Sequence, residues 1–269
     1  MSFTPVLSSG GYSGWVFLKR TMTQQFAAFA AQASVQRDEA YFREKIGSVN
    51  TAEQLINDSR LLRVALGAFG LDADIRSKFF IKKVLEEGTL RPDALANKLA
   101  NKQYQKLASA FGFGNFSVPR TKLSDFADEI LHPYNKQQFS VAVGAQSEDM
   151  RLALNIEREL PDLAMSKASP LSKWFTVLGN PPMRAVFERA FGLPRSFGTI
   201  DLDKQVQTLQ ARSTSLFGSA DLAQFSDSEK IDKLVKQFFL RSAVAENAQI
   251  SGGAQVALTL LQQSRFRFG

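Results

Sequence analysis

The chain has 269 residues, 44% of them apolar, with no cysteine, one histidine and a net charge of +7. The missing cysteines exclude disulfide scaffolds, thiol chemistry and Cys-ligated zinc or iron–sulfur centres, and a lone histidine excludes polyhistidine metal sites. The apolar fraction is too high for a disordered chain, and the length allows one large domain or two ordinary ones.

Residues 1–14, with Pro5, Ser8, Ser9, Gly10, Gly11 and Gly14, read as a flexible or extended leader. They lack the charged and apolar regions of a secretory signal, and no apolar run is long enough to cross a membrane, so a cytoplasmic protein is expected. A helix is predicted from Trp15 to about Val35. Trp15, Leu18, Met22, Phe26 and Phe29 share one of its faces. Short of neighbours in its own chain, that face would need a partner or a second protomer, which makes Trp15 a candidate contact.

Thr51-Ala-Glu-Gln54 has the form of a capping box and opens a helix that stops at Gly70. Asp72 or Asp74 is expected to cap the next helix, to Gly88. Short helices follow over Pro92–Leu99 and Lys102–Phe111. The segment from Arg76 to Lys106 is the densest in cations. Its bland reading is a solvated helix face with Lys83–Glu87 as an i,i+4 pair. Its sharper reading is a patch for an acidic partner or nucleic acid, with Arg76 and Lys83 as candidates. The basic excess of the whole chain is spread evenly between its halves, which argues against nucleic acid.

Residues 112–120 (Gly-Phe-Gly-Asn-Phe-Ser-Val-Pro-Arg) form the clearest interior linker. They divide an N-terminal helical lobe, 15–111, from a C-terminal one, 121–269, unless the two make one domain. Phe111, Phe113 and Phe116 at this junction are candidate contacts. Beyond it, helices are predicted at 122–131, 134–143, 148–165, 170–178, 181–191 and 202–217. Ser226-Asp-Ser-Glu229 reads as a second capping box, and a last helix is predicted over 254–263. The only hints of a strand, Phe3–Val6 and Phe197–Ile200, are weak. Three helices end on a shared device: Ala68-Phe69-Gly70, Ala110-Phe111-Gly112 and Ala190-Phe191-Gly192. Independent reuse of a good C-terminal stop and an old duplication both account for it. The expected fold is all-α: an irregular multi-helix protein, read as two lobes related by this faint repeat. The 23 Phe against 4 Tyr and 2 Trp favour packing over a wet binding surface.

Little here is equipped for chemistry. His132 precedes Pro133 at an expected helix end, and no nucleophile elbow accompanies it. The carboxylate groups Asp125/Asp128/Glu129, Glu157/Glu159 and Asp201/Asp203 fall largely where helix N-termini are expected, so capping is the first reading and acid–base hydrolysis the alternative. Asp201-Leu-Asp203 lacks the rest of a calcium loop. The glycine clusters match neither a dinucleotide fingerprint nor a phosphate loop. No cofactor and no metal are expected. The closing Arg265-Phe-Arg-Phe-Gly269 is expected to dock back on the domain.

Four segments carry a family likeness: Ser9-Gly-Gly-Tyr-Ser-Gly-Trp15, Leu62-Arg-Val-Ala-Leu-Gly-Ala-Phe-Gly-Leu71, Arg151–Leu160 and Phe187-Glu-Arg-Ala-Phe-Gly-Leu-Pro194. Together they resemble an alphaproteobacterial family of uncharacterised proteins, domain of unknown function 1217, whose genes tend to lie in flagellar gene clusters. These are helix-packing signatures, and the resemblance implies no catalytic residue. It implies a non-enzymatic interaction or structural protein of flagellar assembly or its regulation, with a protein partner. A chaperone or regulator would stay in the cytoplasm; an assembly component would leave by the flagellar export route. A basic nucleic-acid-binding regulator is the reading from a different class. Oligomeric state is not readable.

Overall fold

In a computed structural model, residues 3–245 are described. Thirteen α-helices and four short 3₁₀ turns carry the fold, and no strand occurs among these residues. The helices are α1 (Gly11–Ala30), α2 (Ala33–Ile46), α3 (Ala52–Asn57), α4 (Ser59–Ala68), α5 (Lys78–Glu87), α6 (Leu95–Lys98), α7 (Gln103–Phe111), α8 (Phe126–Gly144), α9 (Glu148–Met165), α10 (Pro170–Gly179), α11 (Pro181–Ala190), α12 (Leu202–Phe217) and α13 (228–245). The helix predicted at 254–263 and the closing Arg-Phe pairs lie outside the described residues.

Several boundaries differ from expectation for local reasons. Helix α1 begins at Gly11, four residues before Trp15, and stops at Ala30. Gln32 ends it: its Nε2 donates to the Phe29 carbonyl and its Oε1 accepts the Phe3 amide, fixing a break that no proline or glycine announces. Helix α2 follows at once and has no counterpart among the predicted elements. The helix expected after Thr51 is two. Thr51 Oγ1 accepts the Gln54 amide as foreseen, and Gln54 reaches back to the Asn50 amide. Asp58 then breaks the run by capping a second helix through the Arg60 and Leu61 amides, both at 3.0 Å.

The two helices expected on either side of Pro133 are one, α8, with the proline inside. A proline there removes one backbone bond. The helix continues because both halves are buried: Phe126, Ile130 and Leu131 before the proline, Tyr134, Phe139 and Val143 after it. At the second expected capping box the cap is one residue later. Asp227 accepts the Glu229 amide, while the Ser226 hydroxyl donates to the Ala223 carbonyl. Phe3–Val6 forms no strand, and Phe197 sits in a 3₁₀ turn.

The core divides differently from the two predicted lobes. One large cluster gathers α2, α3, α4, α5, α7 and the first half of α8; a second gathers the second half of α8 with α1 and α9 through α13; a small third joins Val84, Ala96 and Ala108 between α5, α6 and α7. Residues 112–120 therefore do not separate the clusters, since Phe111 before them and Phe126 after them sit in the same one, ring to ring at 5.1 Å. The dividing points are the α1–α2 break and the middle of α8. Inside the larger cluster, Phe187 is the hub of edge-to-face contacts to Trp174, Phe191 and Phe225 at 5.5, 5.3 and 5.7 Å.

The repeated Ala-Phe-Gly device is geometrically the same at two of its three places. After α4, the Leu71 amide donates to the Leu66 carbonyl and Gly70 to Gly67; after α11, Leu193 donates to Glu188 and Gly192 to Arg189. Both are Schellman closures, with Gly70 at φ 69° and Gly192 at φ 64°. After α7, Gly112 donates to Ala108 alone and the chain departs differently.

Candidate interaction surface

The segment between α7 and α8 is a built loop. Gly114 lies against the end of α5, where a Cβ would collide with the Glu86 carbonyl oxygen. Asn115 then takes hold of Thr89: its Oδ1 accepts the Thr89 amide at 2.7 Å and its Nδ2 donates to Thr89 Oγ1 at 3.0 Å. On the far side, the buried Thr121 hydroxyl donates to the Val49 carbonyl at 2.7 Å and Lys122 Nζ to the Gly47 carbonyl at 2.8 Å. Arg120 grips both carboxylate oxygens of Glu129. Between these staples the loop presents Phe116 (53% exposed) and Val118 (63%) to solvent, and Leu123 (50%) follows directly after them. Leu90, beside the bonded Thr89, is exposed as well.

The six residues singled out from the sequence divide unevenly. Trp15 is buried, stacked near Phe239 at 5.8 Å with the Lys19 ammonium over its ring. Its face finds neighbours within the chain, in α9 and α13, and Trp15 is no surface contact. Phe111 is also fully buried, between Phe126 and Phe113. Phe113 is half-buried in the same cluster. These two rings anchor the loop and are not offered by it. Phe116 is offered. Arg76 and Lys83 are both exposed, on the turn before α5 and on α5 itself, with Phe79 between them 81% exposed. Sequence reasoning passed over Val118, Leu123, Leu90 and Phe79. The signal for Val118 was available: an apolar residue inside a Gly/Pro/Asn loop belongs to no helical face. Leu123 fell inside the helix expected at 122–131, which begins only at Phe126.

The basic stretch carries much of its own counter-charge. Lys82 is within 3.3 Å of Glu53 and 3.7 Å of Glu86, Lys83 within 3.8 Å of Glu87, and Arg91 within 3.6 Å of Asp93.

Among the carboxylates, Asp201 caps α12 through the Asp203 and Lys204 amides. Glu157 meets Lys19 at 2.7 Å, tying α9 to α1. Burial raises its pKa above the ordinary carboxylate range, and the Lys19 ammonium only partly offsets this. Glu159 lies in a groove of about 460 Å³ between α7 and the helices α9 to α11. It accepts from Gln103 Nε2 at 3.0 Å and Asn180 Nδ2 at 2.8 Å. The pair Glu157/Glu159 is thus split between an inter-helix tie and a groove wall. His132 is exposed on α8. Among the described residues, no group of three or more His, Asp or Glu converges as a metal site, and no helix is long and apolar enough to cross a membrane.

The profile of a family described as "Protein of unknown function (DUF1217)" matches residues 68–231, more than half of the chain. The chain belongs to the DUF1217 family. The matched region contains α5, the stapled loop and the Glu159 groove, and leaves out α1 and most of α13. This DUF1217 protein is also similar to a crystal structure, that of protein AGR_C_984 from Agrobacterium tumefaciens. The two are 27% identical with a TM-score of 0.72, over 88% of this chain and 96% of the other. Comparison with curated proteins gives no match.

Proposed function

We propose that this DUF1217 protein is a non-catalytic interaction protein of flagellar assembly or its regulation. It would meet a protein partner through the loop between α7 and α8. The observation that carries the reading is the combination of exposure and restraint. Phe116, Val118 and Leu123 lie on a loop bonded to two separate parts of the fold, Thr89 after α5 and the connection between α2 and α3. Burying them against a partner recovers about 25 cal/mol per Å² of apolar surface, with little ordering left to oppose it. Scattered apolar side chains on a surface are ordinary; three on one fastened loop are what we read as an interaction site. The flagellar part of the reading rests on the family, whose likeness carries the gene-cluster context.

The test is a pulldown from a motile native host with the wild-type chain and with a Phe116→Asp, Val118→Asp variant. Flagellar components retained by the first and lost by the second support the reading. Recovery of none, together with normal motility in a deletion strain, removes it. Fractionation then separates the two forms of the proposal. A chaperone or regulator stays with the cytoplasm, and an assembly component is found in the culture medium or the hook–basal body.

A further inference from the structure

Three arginines meet in one hollow between α2 and α4. Ser34, Arg37 and Asp38 fall at i, i+3 and i+4 on α2, and Arg60 and Arg63 at i and i+3 on α4, so each helix turns these side chains to one face. Together they line a hollow of about 410 Å³. One carboxylate serves all three cations. Asp38 Oδ1 accepts from Arg60 Nε at 2.9 Å and from Arg63 Nη2 at 3.1 Å, and the same Arg63 nitrogen reaches Asp38 Oδ2 at 3.3 Å. Arg37 donates through Nε to the Ala33 carbonyl at 3.0 Å and has no carboxylate within ion-pair distance among the described residues. The next carboxylate, Asp58, is already taken by the Tyr41 hydroxyl and the Arg60 and Leu61 amides.

The hollow therefore holds three positive charges against one negative. Two of its guanidiniums are also fixed in place: Asp38, with its side chain 18% exposed, orients Arg60 and Arg63, and Arg60 lies over the Tyr41 ring at 4.5 Å. These bonds spend only part of the donor set. Both terminal amino groups of Arg37 and Arg60, and Nε and Nη1 of Arg63, have no acceptor among the described residues. A guanidinium is a planar fork that stays charged at any physiological pH and matches two oxygens of a tetrahedral phosphate. No apolar side chain lines the hollow, so nothing there selects a greasy ligand. We infer that it is a binding site for phosphate, as the free ion or as the terminal group of a small phosphate ester. Either is close to doubly negative near neutral pH and balances the excess charge. The inference does not rest on the proposed flagellar role, since none of the five residues belongs to the loop between α7 and α8.

Calorimetric titration of the full chain at about pH 7.5 tests it, with sodium chloride holding the ionic strength constant so that general screening does not change. Inorganic phosphate is expected to bind saturably with a Kd of about 1 mM or below, the scale of two or three charge-assisted hydrogen bonds. Arg37→Ala and Arg63→Ala are each expected to weaken binding about tenfold. Arg212→Ala, an exposed arginine on α12, is expected to change nothing. Arg37 forms no ion pair with the described residues, so its variant carries the test even where Arg63→Ala fails to fold. Ribose 5-phosphate separates the two sources. Tighter binding than inorganic phosphate identifies a small ester as the ligand, and equal or weaker binding identifies the free ion. No saturable binding of either compound by the wild-type chain overturns the inference. So does a folded Arg37→Ala chain that binds as the wild type does, or an Arg212→Ala chain weakened as much as Arg37→Ala.

Discussion

The Asn115 carboxamide holds Thr89 from two directions, accepting its backbone amide and donating to its hydroxyl. Twenty-six residues apart in sequence, the two fasten the apolar loop to the end of α5. Asn115→Ala leaves the Thr89 amide without its partner in a half-buried position. The expected cost is about 1–3 kcal/mol, read as a lowered denaturation midpoint in urea. Asn115→Asp keeps the acceptor and gives up the donor to Thr89 Oγ1, so its midpoint is expected to fall between the two. Equal midpoints for wild type and Asn115→Ala would show that the loop is not fastened there.

Gly114 answers to backbone and not to a side chain. A methyl group there meets the Glu86 carbonyl and the peptide at Gly88, neither of which can rotate away. Gly114→Ala is expected to destabilise by about 1–3 kcal/mol, in the range of an overpacked core. It should also weaken partner capture more than Gly10→Ala, a position with nothing within 4 Å. Thermal melts and the pulldown on the same pair of variants check both statements.

What was legible in the sequence was whatever is decided locally. The all-α class follows from helical spacing of apolar residues, and caps such as Thr51 and stops such as Gly70 and Gly192 act within a few residues of themselves. The misreadings arose where a distant contact overrode a local rule. Pro133 reads as a helix end, but α8 is buried on both sides of it, passing from one cluster to the other only after Tyr134, and runs on. Asp58 sits inside a good apolar pattern, yet caps a new helix while also accepting the Tyr41 hydroxyl at 2.7 Å from across the fold. Trp15 and Phe111 show the same limit for the surface. Composition cannot tell a buried ring from an offered one, and both are buried by elements more than 100 residues away or across a loop. Phe116 was found because its loop belongs to no helix; the staples that hold it were not visible, since each joins residues far apart.

Asp58 gives a pH signature. Its partial burial opposes ionisation, but the Leu61 amide, the Tyr41 hydroxyl and the Arg60 amide together hold its carboxyl below the ordinary value of 3.8. A lowered folded pKa contributes stability that is present above the unfolded value and is lost as pH falls through the folded one. Asp58→Asn retains a capping side chain without the charge. It is expected to be less stable than wild type at pH 7, with the gap closing as the solution is taken below about pH 4. Asp58→Ala removes the cap too, at about 1 kcal/mol, and its gap should persist in part at low pH. Denaturation midpoints across pH 3–7 for the three chains check the ordering.

Glu157 is expected to behave in the opposite sense. Burial raises its carboxyl pKa above the ordinary 4.5 despite the Lys19 ammonium at 2.7 Å. The folded state therefore holds this proton more tightly than the unfolded chain, and stability falls as pH rises through the window above 4.5. Glu157→Gln keeps the shape and the acceptor for Lys19 but removes the ionisation. Lys19 is partly exposed and remains hydrated without its counter-charge. The variant should match wild type near pH 4 and become the more stable chain as pH is raised toward 7, levelling off above the window. That outcome fits a buried carboxylate whose desolvation outweighs its ion pair. A difference in Tm that is constant across this range would mean that burial and the Lys19 pair cancel, and one that favours wild type increasingly with pH would mean the Lys19 pair dominates. The tie between α1 and α9 would then be a net source of stability at neutral pH.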